Sequence, residues 1–146
     1  MKLLPIYKLF AGGLPEFTRP FQDNEALFKQ AQAFWNKLES LSPFFLLIFV
    51  VMGIGLAIYY YQPYNNKPGR RYHPKHWLYF LLYTFFLTLI ITLGFEYIAV
   101  APKINGSFIL ELKIALGNAV YATLLYLFTS IVWCNTAPTN AYRIFK

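Results

Sequence analysis

Residues 77–100 read WLYFLLYTFFLTLIITLGFEYIAV, and one formal charge, Glu96, interrupts the run. A helix needs about 20 consecutive apolar residues to cross a bilayer core roughly 30 Å thick, and this stretch meets that length. Two further runs qualify, Phe44–Tyr61 before it and Phe108–Trp133 after it. The last carries Glu111 and Lys113 in its first two turns, so its strictly apolar part begins near Ile114 and the preceding turns stand at headgroup depth. Pro102 and Asn105-Gly106-Ser107 leave a short turn between the second and third runs, which makes those two helices antiparallel neighbours.

Composition agrees with the runs. The chain is 146 residues long, 58% hydrophobic, 21% aromatic and 13% charged. A soluble domain averages about 25% charged residues, so roughly half the usual charge is missing. The 13 Lys and Arg outnumber the 6 Asp and Glu, for a net charge of +7. These cations gather at the ends of apolar runs, where anionic lipid headgroups account for them and nucleic acid is not needed. Aromatic residues mark the same borders: Tyr59-Tyr60-Tyr61 closes the first run, Trp77, Tyr79 and Tyr83 open the second, and Trp133 closes the third. Cys134 is the one cysteine, which excludes an intrachain disulfide framework. The start does not read as a cleaved signal peptide, because Pro5, Tyr7 and Lys8 break any continuous apolar core, and the first span then serves as the insertion signal.

Ahead of the spans lie two different segments. Residues 1–22 combine Pro5, Pro15, Pro20 and Gly12-Gly13 with bulky apolar residues, and read as an extended apolar arm without a long helix. Its anchors Phe10, Phe17 and Phe21 either bind a partner or pack on the chain itself. Residues 23–42 read as an amphipathic interfacial helix. Asp23 or Asn24 caps it, Leu27, Ala31, Phe34, Trp35, Leu38 and Leu41 form its apolar stripe, and Ser42-Pro43 ends it. Its polar face is poor in cations, so Phe34 and Trp35 favour a protein interface over a lipid surface. The chain therefore reads as an all-α integral membrane protein: three transmembrane helices over residues 43–134, preceded by an amphipathic helix and an apolar N-terminal arm, with a short basic tail at 135–146.

Between the first two spans, Lys67-Pro-Gly-Arg-Arg-Tyr-His-Pro-Lys-His76 places four cations, Lys67, Arg70, Arg71 and Lys75, in one loop. Each is worth about 1 kcal/mol near an anionic leaflet, so the loop reads as a lipid-binding or partner-binding element. Arg71 and His76 match the Arg-x4–6-His spacing of the HEPN-type ribonuclease signature, a resemblance that would imply RNA cleavage. Pro74 inside the pattern and the adjoining span favour a solvated basic turn. His73 and His76 lack further ligands nearby for a closed metal site, which normally has four. No catalytic residue, metal or cofactor is expected. Basic residues near the spans number six on the side of this loop and the C-terminus, and three or four on the other, which favours the loop and C-terminus in the cytoplasm and the N-terminus outside.

Within the spans, Gly53-x3-Ala57 and Ala115-x3-Ala119 permit close helix approach, and Asn118 seeks a polar partner. Glu96, an intramembrane charge near the end of its run, is expected at the interface in a salt bridge with Lys103 or Lys113. The function expected is that of a small polytopic subunit that anchors or helps assemble a larger oligomeric membrane complex, such as a secretion or envelope machine of a bacterial inner membrane. The alternative is a self-assembling pore or membrane-disrupting effector, with Glu96 and Asn118 lining the opening.

Overall fold

In a computed structural model, residues 4–68, 73–137, 141 and 145 are described, with side chains from Ile6 onward. Of the basic loop, Arg70 and Arg71 lie outside the described residues, whereas Lys67 and Lys75 are exposed. The fold is all-helical, without strands among the described residues. Two short helices, α1 (Leu4–Ala11) and α2 (Leu14–Thr18), and a 3-10 turn (Arg19–Phe21) precede three long helices. These are α3 (Glu25–Tyr59), extended by a π-helical turn (Tyr60–Tyr64), α4 (Pro74–Ala99) and α5 (Ser107–Thr136). All three are long and apolar enough to cross a membrane.

From Leu4 to Phe21 the N-terminal segment is largely helical rather than extended, and its prolines explain how. Pro5 and Pro15 fall in the first turns of α1 and α2, where a missing N–H costs no intrahelical bond. Gly12 ends α1 at φ +74°, the left-handed conformation suited to glycine. Its amide donates to the Lys8 carbonyl at 3.1 Å. The Gly13 amide donates to Glu16 Oε2 at 3.2 Å, which turns the chain into α2.

Asn24 caps α3. Its Oδ1 accepts from the amides of Ala26 at 3.0 Å and Leu27 at 3.2 Å. The break expected at Ser42-Pro43 does not occur: α3 runs through Pro43 for 35 residues. The expected separate interfacial helix and first span are therefore one element. An interior proline costs about 3 kcal/mol. Against that stand Phe34, Trp35 and Leu38 on one side of Pro43 and Phe45 on the other, all buried, each contributing about 1.5–3 kcal/mol.

The chain divides into two compact units, residues 1–47 with 89–118, and residues 48–88 with 119–146. In the first, Tyr7, Ala31, Phe34, Trp35, Leu38, Phe45, Leu110 and Ile114 form the buried core. The Phe17 ring lies 6.0 Å from that of Phe34 and 5.8 Å from that of Trp35. In the second unit, Ala57, Tyr60, Tyr61, Trp77, Phe80, Tyr126 and Cys134 cluster. Trp77 Nε1 donates to Ser130 Oγ at 3.3 Å, and Tyr61 Oη lies 3.4 Å from Cys134 Sγ.

Close helix approach in this second unit rests on Gly53. A Cβ there would stand 2.7 Å from the Ala122 carbonyl oxygen and 2.9 Å from Leu125 Cβ, whereas a Cβ on Gly55 would meet nothing within 4 Å. Gly53→Ala is therefore expected to destabilise by about 1–3 kcal/mol through overpacking. Gly55→Ala gains about 0.5–1 kcal/mol from helix propensity. Thermal unfolding in detergent checks the opposite signs, and equal shifts would contradict this packing.

Candidate functional site

α4 carries a polar stripe. Thr84, Thr88, Thr92 and Glu96 recur every fourth residue, on one face of the helix, and all are fully buried. Two of the threonines satisfy their hydroxyls locally: Thr84 donates to the Phe80 carbonyl at 2.8 Å and Thr88 to the Thr84 carbonyl at 2.7 Å. Thr92 instead serves a neighbouring helix. Its Oγ1 accepts from Asn118 Nδ2 at 2.8 Å, and Asn118 Oδ1 accepts from the Tyr7 hydroxyl at 2.6 Å. Three helices, α1, α4 and α5, are thus joined through one amide. All three residues are fully buried.

The seam is narrow where Tyr7 arrives. A Cβ on Gly117 would stand 2.9 Å from Phe10 Cδ2 and 3.1 Å from Tyr7 Cδ1. Ala115 is also fully buried. Small residues in α5 let α1 settle against it, and the Tyr7 hydroxyl then reaches Asn118.

One turn beyond Thr92, Glu96 is fully buried and neither carboxylate oxygen has a hydrogen-bond partner among the described residues. The charged groups acting on it are Glu111 and Lys103. Lys103 does not form the expected salt bridge with Glu96. Its ammonium pairs with the buried Glu111 carboxylate and donates to the Glu96 main-chain carbonyl at 3.2 Å. The ring centroids of Tyr97 and Phe34 lie 5.3 and 5.9 Å from it. The Glu96 carbonyl already accepts from the Val100 amide at 3.0 Å, so the lysine adds a second donor there, meeting the negative end of the α4 dipole while Glu111 supplies its countercharge. Lys113 is exposed and forms no ion pair among the described residues.

The other residues singled out in the sequence fall into separate places. Phe10, Phe17, Phe21, Phe34 and Trp35 lie together in the first unit, with Phe34 and Trp35 buried and the other three half-buried. Phe34 and Trp35 thus pack within their own chain, and Phe17 meets both rings. Gly53, Ala57 and Ala119 belong to the second unit, and Ala115 and Asn118 to the first. Among the described residues no group of three or more His, Cys, Asp or Glu side chains could hold a metal. Tyr7 and the threonine stripe were not singled out from the sequence, although hydroxyls at 84, 88 and 92 leading to Glu96 gave a four-residue signal. Compared with protein families, curated proteins and solved structures, the chain matches none.

Two predictions follow from this geometry. Tyr7→Phe and Asn118→Ala each lower thermal stability in detergent, Asn118→Ala by about 1–3 kcal/mol because it strands two hydroxyls. Their effects are coupled in a double-mutant cycle, and strict additivity would refute the Tyr7–Asn118 bond. Glu96→Leu removes two unpartnered buried oxygens and keeps or raises the unfolding temperature. A fall of several degrees would show that the carboxylate has a partner.

Proposed function

We propose that this chain is a small polytopic membrane subunit that anchors or helps assemble a larger membrane complex. The observation that carries the proposal is the direction of its polar groups. Thr92, Glu96, Asn118 and Ser130 are fully buried within a single chain, while the outward positions along the apolar runs of the long helices are apolar or aromatic, including Val51, Tyr83, Phe86, Ile90, Leu124 and Phe128. Outward apolar faces suit lipid and neighbouring membrane subunits.

A pore built from several copies needs its polar residues on the faces where copies meet. Here Glu96 and Asn118 have no exposed surface to offer such a lumen, which favours the anchoring role over the pore-forming one. Phe34 and Trp35 are buried in the chain's own packing, so the surfaces left for partner subunits include the outer helix faces and the exposed Lys67 and Lys75. An inner-membrane setting with the basic loop cytoplasmic fits the distribution of cations in the sequence. A secretion or envelope machine is a context that suits such a subunit.

Purification from native membranes in a mild detergent tests the role. Stoichiometric co-purifying membrane proteins are the expected result. A pure homo-oligomer that conducts ions in planar bilayers would overturn it in favour of the pore.

A further inference from the structure

In the first unit, α1, α2, the 3-10 turn, residues 105–106 and the start of α5 line a partly open cavity of about 680 Å³. That volume lies within the range of small-molecule sites. Its walls are largely apolar and aromatic, with Leu9, Phe10, Phe17, Phe21, Ile109 and Leu110 among them. Two cations, Lys8 from α1 and Lys113 from α5, also line it. Both are exposed, and neither enters an ion pair among the described residues. Glu16 is the one acid in the lining, and it is turned back on its own turn, accepting from the Gly13 amide at 3.2 Å.

Depth supplies the second half of the argument. The strictly apolar stretch of α5 begins near Ile114, so Ile109, Leu110 and Lys113 stand where hydrocarbon gives way to headgroups. An occupant at that level meets aromatic rings together with a net positive lining, two lysines against the one carboxylate of Glu16. Acyl chains match the first and a phosphate matches the second. An acidic soluble partner would serve the lysines yet leave the aromatic walls uncovered, and an uncharged hydrocarbon would do the reverse.

We propose that this cavity holds one anionic phospholipid, with its phosphate met by Lys8 and Lys113 and an acyl chain against Phe10, Phe17, Phe21 and Ile109. A zwitterionic lipid offers the same chains, but its own ammonium offsets the phosphate, so the lysines select for net negative charge. Lysines near an anionic surface contribute enough for two of them to give a preference of about tenfold or more.

The proposal rests on the bilayer reading of the three long helices, and its test is separate from the search for partner subunits. The intact chain in detergent is stripped of lipid and then offered phosphatidylglycerol or phosphatidylcholine with identical acyl chains, and native mass spectrometry counts the lipid retained. One phosphatidylglycerol per chain is expected, favoured about tenfold over phosphatidylcholine. Lys8→Glu with Lys113→Glu brings the two lipids to parity. Lys37→Glu, at an exposed position outside the cavity lining, leaves the preference in place. Ile109→Trp, at a position exposed in the fold, fills the cavity without changing charge and lowers retention of both lipids. Parity in the unaltered chain overturns the proposal. So does a preference that survives the double lysine substitution, or one that is lost equally with Lys37→Glu. Failure to find partner subunits changes none of these outcomes, so the two readings fail separately.

Discussion

Asn118 sits in a long apolar helix with an amide that hydrocarbon cannot satisfy, and an unmet amide in such surroundings costs several kcal/mol. It meets this constraint by accepting from Tyr7 and donating to Thr92, and the first unit is arranged around that solution. The Tyr7 bond places α1 on α5. That placement requires a bare Cα at Gly117, because Tyr7 and Phe10 occupy the space a side chain would take. With α1 fixed, the reversal through Gly12 and Gly13 carries the chain into α2, and Phe17 reaches the rings of Phe34 and Trp35. The apolar cavity beneath Leu9 and Phe10 is a by-product of the same placement. One amide thus settles where the N-terminal segment lies.

The long helices were legible because their signal is an unbroken property of the chain. A run such as 77–100 excludes most alternatives by length and lack of charge alone. The boundary at Asn24 was similarly open to reading, since a cap acts locally, whereas Pro74 read as part of the basic turn and instead opens α4 from its first turn. What escaped was decided by contacts distant in sequence. Ser42-Pro43 carries a strong local signal to stop, yet burial of Trp35, Leu38 and Phe45 on both sides holds α3 continuous. The prolines of the first 22 residues read as helix breakers, but two of them sit in first turns, where they favour a helix.

Glu96 shows the limit for the candidate site. Sequence proximity to Lys103 suggested a carboxylate–ammonium pair, and the lysine does approach the residue. It approaches the main chain, because the end of α4 presents its carbonyl there and Glu111 supplies the countercharge from α5. Residue types and spacing name the groups that come near one another. Which atom of each is engaged depends on the direction of the helix end, and that is a property of the fold.

The second unit has a quieter feature with a practical side. The one thiol of the chain, Cys134, is almost wholly buried beside Tyr61, with Trp133 stacked on the same tyrosine ring. Because it is sealed from water-soluble maleimides, the native chain presents a silent background to thiol chemistry. A cysteine introduced at an exposed position, such as Lys67 or Asn105, is then the sole reactive handle. The sidedness of each connecting segment can be mapped with impermeant reagents while the buried thiol stays in place.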